Sequence, residues 1–307
     1  MKELSIIVPI YNEEGNIKPL FERLSKVVSQ LNLDAEYIFI NDGSKDGSLP
    51  VLKELNRINS SAKYIDFSRN FGHQIAVTAG LDHCNGKTVV IIDADLQDPP
   101  ELIIDMYSKW REGYEVVYAK RKLREGEGYL KKTTAKVFYR ILRKITSIHI
   151  PVDTGDFRLI DNKVVAVLRK MPEQQKFLRG QISWIGFRQT FVEYDRDARL
   201  AGKTGYTYKK MIRFALDGIT SYSNLPLKFA TVTGFFVSLI AFFLILYALY
   251  SRFVTKNYVP GWTSLMLAVV FIGGVQLISI GIIGEYISRL SANIRNRPLY
   301  IINETNL

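Results

Sequence analysis

The chain of 307 residues is 47% hydrophobic and 23% charged, which excludes a disordered protein and gives room for one large or two modest domains. Its single cysteine, Cys84, excludes an internal disulfide, and three scattered histidines argue against a zinc site, so any metal must be held by oxygen ligands. A formal net charge of +11 leaves nucleic acid, a membrane surface or phosphorylated molecules as partners, and its distribution decides among them.

The first 120 residues alternate short apolar runs with helical patterns. "LSIIVPI" (4–10) precedes a helix expected over about Asn16–Leu31, and "YIFIND" (37–42) precedes one around Val51–Ile58. "KYIDFS" (63–68) precedes one around Gln74–His83, "TVVIIDAD" (88–95) precedes one over Pro99–Arg111, and "EVVYAKR" (115–121) follows. Strand and helix recurring in this way imply an α/β fold with a parallel sheet covered on both faces. Right-handed crossovers place the C-terminal ends of such strands on one edge. That edge collects four polar or Gly-rich loops: "PIYNEE" (9–14), "NDGSKDGS" (41–48), "SRNFG" (68–72) and "DADLQD" (93–98).

Asp-x-Asp is a short pattern expected roughly once by chance in a chain of this composition. It occurs twice. Asp195 and Asp197 lie in a charged, polar stretch where solvation explains them. Asp93 and Asp95 follow a run that reads as a buried parallel strand, and open α/β sheets bind ligands beyond the carboxyl ends of their strands.

From Lys120 to Lys144 there are ten Lys or Arg against two acids, Glu125 and Glu127, interleaved with Tyr129, Val137, Phe138, Tyr139, Ile141 and Leu142. This mixture suits an amphipathic helix around 129–147 lying on anionic headgroups, with 206–224 as a second interfacial segment. No zinc-finger, RNA-recognition or helix-turn-helix pattern accompanies it, which argues against nucleic acid. Residues 229–250 carry no charge, and at 1.5 Å per residue such a helix spans about 33 Å against a hydrocarbon core of about 30 Å. A second span runs over 262–284. Lys209, Lys210, Arg213 and Lys228 before the pair and Arg289, Arg295 and Arg297 after it outnumber the two cations of the connecting loop, placing both termini in the cytoplasm. The expected organisation is a cytoplasmic domain over 1–225, a transmembrane hairpin over 226–288 and a cytoplasmic tail over 289–307, located in the inner (plasma) membrane.

Paired aspartates on an oxygen-only site favour Mg²⁺ or Mn²⁺ bridging to substrate phosphates, which predicts a nucleoside diphosphate ligand. A Walker A loop is absent, as is GxGxxG after the first strand. The motifs "VPIYNEEGNI", "NDGSKDGS", "DADLQDPPE" and "TGDFRL", in this order and followed by two apolar spans, resemble those of family 2 glycosyltransferases of the polyisoprenyl-phosphate group, relatives of dolichol-phosphate mannose synthase. The resemblance covers almost the whole chain. It implies a GT-A fold, a Rossmann-like nucleotide-sugar domain, and passage of a sugar from UDP or GDP to a polyprenyl phosphate.

Carried over by motif, the resemblance implies a base-binding loop of Pro9, Tyr11 and Glu13, with Asp42 at the nucleobase or ribose. Asp93 and Asp95 match the metal and diphosphate motif, and Gln97 a sugar or phosphate contact. Asp156 matches an acid near the reacting centre, usually labelled a catalytic base, with Arg158 two residues on; its plain reading is a turn or helix cap after Gly155. The acceptor phosphate is largely a dianion near neutral pH, so Asp156 is expected to orient the acceptor or complete the metal and sugar site. Arg121, Arg124, Arg199 and Lys203 are candidates, with Arg158, to hold phosphates against mutual repulsion. Where relatives place a lysine this chain has Gly205, with Lys203 two residues earlier as a substitute.

The QxxRW of processive synthases is absent, so one transfer per acceptor is expected. The expected reaction is inverting transfer of one hexose, glucose or N-acetylglucosamine, from a UDP-sugar to undecaprenyl phosphate on the cytoplasmic leaflet. A separate flippase and a downstream glycosyltransferase would use the product for a cell-surface glycan such as an O-antigen, and the membrane helices could associate into a homo-oligomer. The rivals are a GDP-mannose-dependent synthase and a non-catalytic membrane scaffold.

Overall fold

The computed structural model describes residues 2–121, 154–195, 225–250, 253–254 and 261–307. The expected interfacial helices around 129–147 and 206–224, and with them Arg124, Arg199, Lys203 and Gly205, lie outside the described residues. Two compact units are present: one contains the sheet, its helices and residues 297–307, the other the two long C-terminal helices.

Strands β1 (Leu4–Ile10), β2 (Ala35–Asn41), β3 (Ala62–Phe67) and β4 (Thr88–Ile91) alternate with helices α1 (Glu14–Leu31), α2 (Ser48–Ile58) and α3 (His73–His83). Then come α4 (Leu102–Arg111), β5 (Val116–Arg121), β6 (Thr154–Asp161), α5 (Asn162–Leu168), α6 (Leu178–Ile185) and β7 (Gln189–Tyr194). The chain ends with α7 (Leu225–Tyr250), α8 (Trp262–Arg295) and β8 (Ile302–Thr305). The helices predicted from sequence periodicity in the first 120 residues all form, with starts shifted by up to three residues.

The sheet order is β7-β5-β6-β4-β1-β2-β3-β8. β1 pairs in parallel with both β2 and β4, and β2 with β3, as the alternation predicts. Departures from an all-parallel sheet occur at two places. β6 inserts between β4 and β5 and runs antiparallel to both, and β8 runs antiparallel to β3 at the far edge. The segment expected as a tail from 289 therefore supplies the last turns of α8 and an edge strand of the sheet.

Side chains alternate across β1 and β2 with the period of two that strand geometry imposes. Leu4, Ile6, Val8, Ile10, Tyr37 and Phe39 face one core with Ile17, Leu20 and Leu24 of α1, Leu52 of α2 and Met106 of α4. Ile7, Ile38 and Ile40 face the other, with Val77 and Leu81 of α3, Val164 of α5 and Ile182 of α6. A central strand buried on both faces is largely apolar, which is why "LSIIVPI" lacks polar alternation and carries Ser5 as its one polar residue.

In the second unit α7 and α8 pack against each other. Phe229, Phe235, Phe236, Phe243, Leu277, Ile278 and Ile280 are exposed, an apolar surface with no protein cover. Among the described residues, Phe271–Arg295 is one stretch long and apolar enough to cross a membrane, and Leu225–Ile240 is a shorter apolar stretch.

Helix α3 lies so close to the sheet that a Cβ on Gly80 would stand 2.4 Å from Ile7 Cγ2 and 3.0 Å from Ile40 Cδ1. Gly80→Val is therefore expected to destabilise the protein by about 1–3 kcal/mol through overpacking. A drop in melting temperature in detergent checks this; an unchanged value would show that α3 can lift off the sheet at no cost.

Candidate active site

Four loops meet at the C-terminal edge of the parallel strands, and hydrogen bonds tie them in pairs. The loop after β1 is pinned to the loop after β2: Asn12 N donates to Ser44 Oγ (3.0 Å), Lys45 N to Asn12 Oδ1 (2.8 Å) and Glu13 N to Ser48 Oγ (3.1 Å). Glu14 N donates to Asp46 Oδ2 (3.1 Å), and Gly47 N returns to Glu14 Oε2 (3.0 Å). Asn12 takes the left-handed conformation at φ 56°, one that asparagine tolerates better than most residues. Gly43 has φ 65°, and a Cβ there would sit 2.5 Å from Arg69 C and Asn70 N, so two backbones approach where only glycine fits.

Pro9 is buried in β1 opposite Ile40, Tyr11 stands 46% exposed beyond its end, and Glu13 Oε2 accepts from Asn16 Nδ2 (2.6 Å). The loop thus offers an exposed aromatic ring on a rigid base. Asp42 is placed differently from an open ligand contact. It is buried, and its carboxylate accepts from Phe71 N (2.6 Å) and Gly72 N (3.0 Å), joining the β2 loop to the β3 loop. Burial raises its carboxyl above the ordinary range, with these two N–H groups opposing the shift.

The β4 strand ends at Ile91 and delivers Asp93 and Asp95 to this edge. Asp95 Oδ1 accepts from Gln97 N (3.2 Å), an Asx-type turn, and Leu96 between them is held at φ 56°. A left-handed leucine costs on the order of 1–3 kcal/mol and persists only where surrounding structure imposes it. Gln97 is buried with no hydrogen bond to its Oε1 among the described residues. Tyr194 OH donates to Asp98 Oδ1, Arg121 Nε donates to Tyr194 OH (3.1 Å), and Arg121 Nη2 lies 3.7 Å from Asp98. Arg121 is thus oriented by the end of β7. Asp195 of the second Asp-x-Asp directly follows that strand, and Arg196 and Asp197 lie outside the described residues.

Asp156 reaches the same place from the opposite direction. β6 pairs with β4 so that Ile91 faces Arg158. Two residues past Ile91 is Asp93, and two residues before Arg158 is Asp156. Asp156 is therefore a strand residue set beside the acidic loop, and the reading of it as a turn or helix cap does not hold. Arg179 Nε of α6 donates to its Oδ1 (2.8 Å), while His73 Nε2 (3.1 Å) and Gln74 Nε2 (3.3 Å) of α3 meet Oδ2. Burial opposes its charge, but Arg179, His73 and Arg158 outweigh burial and hold its carboxyl well below the usual carboxylate range.

Arg158, expected at a phosphate, is only 2% exposed and turns inward instead. Its Nη2 donates to Gly155 O (2.9 Å) and its Nε to Asp156 O (3.2 Å), so it braces the backbone that carries Asp156. His73, Gln74 and Arg179 were not among the residues nominated from sequence. His73 had one signal, its position directly after the "SRNFG" loop of the same edge. Arg179 had none, because a lone arginine on a short helix reads as solvated.

Asp93 is less compensated than Asp156. Its Oδ1 is buried without a hydrogen bond among the described residues, and His73 Nε2 lies 3.6 Å away. Burial pushes its carboxyl up to about 6; His73 opposes this, while Asp156, Asp98 and Asp95 add to it. A buried carboxylate oxygen with three acidic neighbours is suited to a cation. Among the described residues no group of three or more His, Cys, Asp or Glu side chains is arranged to hold a metal ion by itself.

Partial desolvation lowers the proton affinity of His73, whose side chain is 41% exposed, but Asp156 and Asp93 overcome this and raise its pKa to about 9. A raised pKa contributes stability that is fully present below the ordinary value of about 6.5 and lost as pH rises through about 9. In chelator, the melting temperature should fall between about pH 7 and pH 10, and His73→Gln should flatten that part of the profile. An equally steep fall in the variant would place the titrating group elsewhere.

Sequence comparison gives the same edge a family. Residues 5–169 match the model for glycosyl transferase family 2, and residues 225–290 match the GtrB C-terminal hairpin. The chain is 50% identical over 303 residues to the uncharacterized glycosyltransferase YkcC of Bacillus subtilis, covering 99% of this chain and 94% of that one. It is 40% identical over 305 residues to the SfII prophage-derived bactoprenol glucosyl transferase of Shigella flexneri, covering 99% and 98%. It is likewise 40% identical over 301 residues to the prophage bactoprenol glucosyl transferase homolog of Escherichia coli, covering 98% of both chains. The chain belongs to glycosyl transferase family 2, within its polyisoprenyl-phosphate glycosyltransferase group, and is an enzyme of the glycosyltransferase class.

Proposed function

We propose that the enzyme transfers one glucose, with inversion, from UDP-glucose to a polyprenyl phosphate such as undecaprenyl phosphate at the cytoplasmic face of the membrane. The observation that carries this reading is the meeting of Asp93 and Asp95 with Asp156, His73 and Arg179 at the C-terminal edge of the sheet. The names of the bactoprenol glucosyl transferases at 40% identity support the acceptor class and favour glucose over N-acetylglucosamine. The hairpin match and two long apolar helices support a membrane anchor of two spans, and the distribution of flanking cations supports cytoplasmic termini.

The donor nucleotide would lie across the tied β1 and β2 loops, with its base against Tyr11 and its diphosphate toward Asp93 and Asp95. Those two aspartates would hold Mg²⁺ or Mn²⁺, which when bound supplies neutralisation of the leaving diphosphate. Gln97, whose buried Oε1 accepts no hydrogen bond among the described residues, would accept from a sugar hydroxyl. Arg121, held by Tyr194, would meet a phosphate of donor or acceptor.

Asp156 acts here as an organiser rather than a base. A carboxylate held well below its usual pKa is a weak proton acceptor, and the acceptor phosphate, with a second pKa of about 6, is already largely dianionic. Asp156 fixes the His73 and Arg179 cations beside the acidic loop, so that positive charge faces the two phosphate groups that must approach each other. A separate flippase and a downstream glycosyltransferase would take up the lipid-linked product, and association of the apolar helices would give a homo-oligomer.

Purified protein should label undecaprenyl phosphate from UDP-glucose in Mg²⁺ or Mn²⁺ and stop in chelator, with UDP-N-acetylglucosamine and GDP-mannose as poor donors. Asp95→Ala should lower turnover at least about 100-fold, a loss of some 2.7 kcal/mol of transition-state stabilisation. Labelling from GDP-mannose alone, or unchanged turnover in the variant, would overturn the reading.

A further inference from the structure

The chain leaves the sheet-bearing unit for α7 and α8, then returns to it, with residues 296–301 between the end of α8 and β8. The returning segment is fastened to β3 and α3. Tyr300 stacks on Phe67 with ring centroids 5.1 Å apart and donates from its hydroxyl to Asp82 Oδ2 (3.0 Å). Ser68 N donates to Ile301 O (3.0 Å), Thr305 Oγ1 to Tyr64 O (2.9 Å) and Tyr64 N to Asn306 Oδ1 (2.6 Å).

The pairing of β8 with β3 contains one irregularity. Asp66 faces Glu304 and Phe67 faces Ile302, so Asn303 is an extra residue without a partner on β3. A bulge of this kind redirects the side chain of the inserted residue. Asn303 is exposed, yet its Nδ2 donates to Asp66 Oδ2 (2.9 Å) of a buried aspartate. The other oxygen, Asp66 Oδ1, accepts from Asn41 Nδ2 (2.7 Å), and Asn41 Oδ1 accepts from Ser44 N (3.4 Å). Ser44 is the residue whose hydroxyl accepts from Asn12 N, beside Tyr11.

A continuous run of hydrogen bonds therefore joins the C-terminal strand to the pair of loops that would hold the donor nucleotide. Asp66 is the shared acceptor. Its two oxygens are divided between the C-terminal strand and the residue at the root of the β2 loop, so losing one donor changes how the carboxylate holds the other. The bland alternative, that Asn303 only satisfies a buried aspartate, predicts a loss of stability with no effect on the loop.

We propose that Asn303 is a positioning residue for the donor site: through Asp66 and Asn41 it sets the conformation of the loop at 41–48, and so the affinity for the nucleoside diphosphate. This rests on the reading of those loops as the donor site. By this linkage the segment that directly follows the membrane helix α8 takes part in donor binding without touching the donor.

Asn303→Asp sets a second carboxylate against Asp66, whereas the double exchange Asp66→Asn with Asn303→Asp restores an amide facing a carboxylate and leaves an oxygen for Asn41. Amide hydrogen exchange across 41–48 and UDP titration in Mg²⁺ are measured on the full-length protein in detergent, with the melting temperature followed in parallel. N303D should speed exchange in 41–48 and weaken UDP binding by roughly tenfold, the loss expected when a charge-assisted hydrogen bond is broken. The double exchange should return both to near wild type. Asn303→Ala, which adds no charge, should shift both in the same direction by less.

Unchanged exchange in 41–48 for N303D and N303A, or a double variant as impaired as N303D, would overturn the proposal. If wild-type protein binds GDP but not UDP, the UDP-glucose reading fails, while the exchange measurement still decides the linkage.

Discussion

The antiparallel pairing of β6 with β4 sets Ile91 opposite Arg158, and the chemistry of the edge follows from that register. Two residues beyond the paired positions, Asp93 and Asp156 emerge side by side from strands running in opposite directions. A slip of one residue would turn Asp156 to the other face of the sheet, away from His73 and Arg179. The register is held because Leu159 and Ile160 of β6 are fully buried in opposite cores, and neither can exchange its face for the other's. Arg158, enclosed by the fold, braces the backbone where β6 begins.

Charge at the edge is unevenly distributed between the two acids. Asp156 is surrounded by Arg179, His73, Gln74 and Arg158, while the buried oxygen of Asp93 accepts no hydrogen bond among the described residues. Asp156 is held firmly ionised, whereas burial and its acidic neighbours push Asp93 toward neutrality in spite of His73. The left-handed Leu96 and the glycine-only contact at Gly43 are further local costs at the same edge.

The far edge of the sheet has a different constraint. β3 would present a row of unpaired backbone groups to solvent, and β8 covers it. The strand that does so comes from the end of the chain, after α7 and α8, so the sheet-bearing unit is completed only when the apolar helices have been made. Tyr300 and Ile302 join the core formed by Phe67 and α3, which makes the closing strand part of the packing as well as of the hydrogen-bonding.

Much of this architecture could be read along the chain. The alternation of apolar runs with helical periods gave β1 to β4 and α1 to α4, and "DADLQD" at the end of an apolar run gave the acidic loop, because local patterning and strand direction are properties of adjacent residues. The uncharged stretch 229–250 gave α7 in the same way. The antiparallel course of β6 and β8 was not readable, since pairing is decided by contacts between residues far apart in sequence. For the same reason Asp156 was recognised by motif but not placed, Arg158 was assigned to a phosphate although it is enclosed, and His73 and Arg179 went unnominated. Composition and local order thus determined an α/β fold with apolar C-terminal helices. Only the tertiary structure decided which acids share a site, which cations compensate them and where the last strand lies, because charge, burial and register acquire their values only when distant segments pack together.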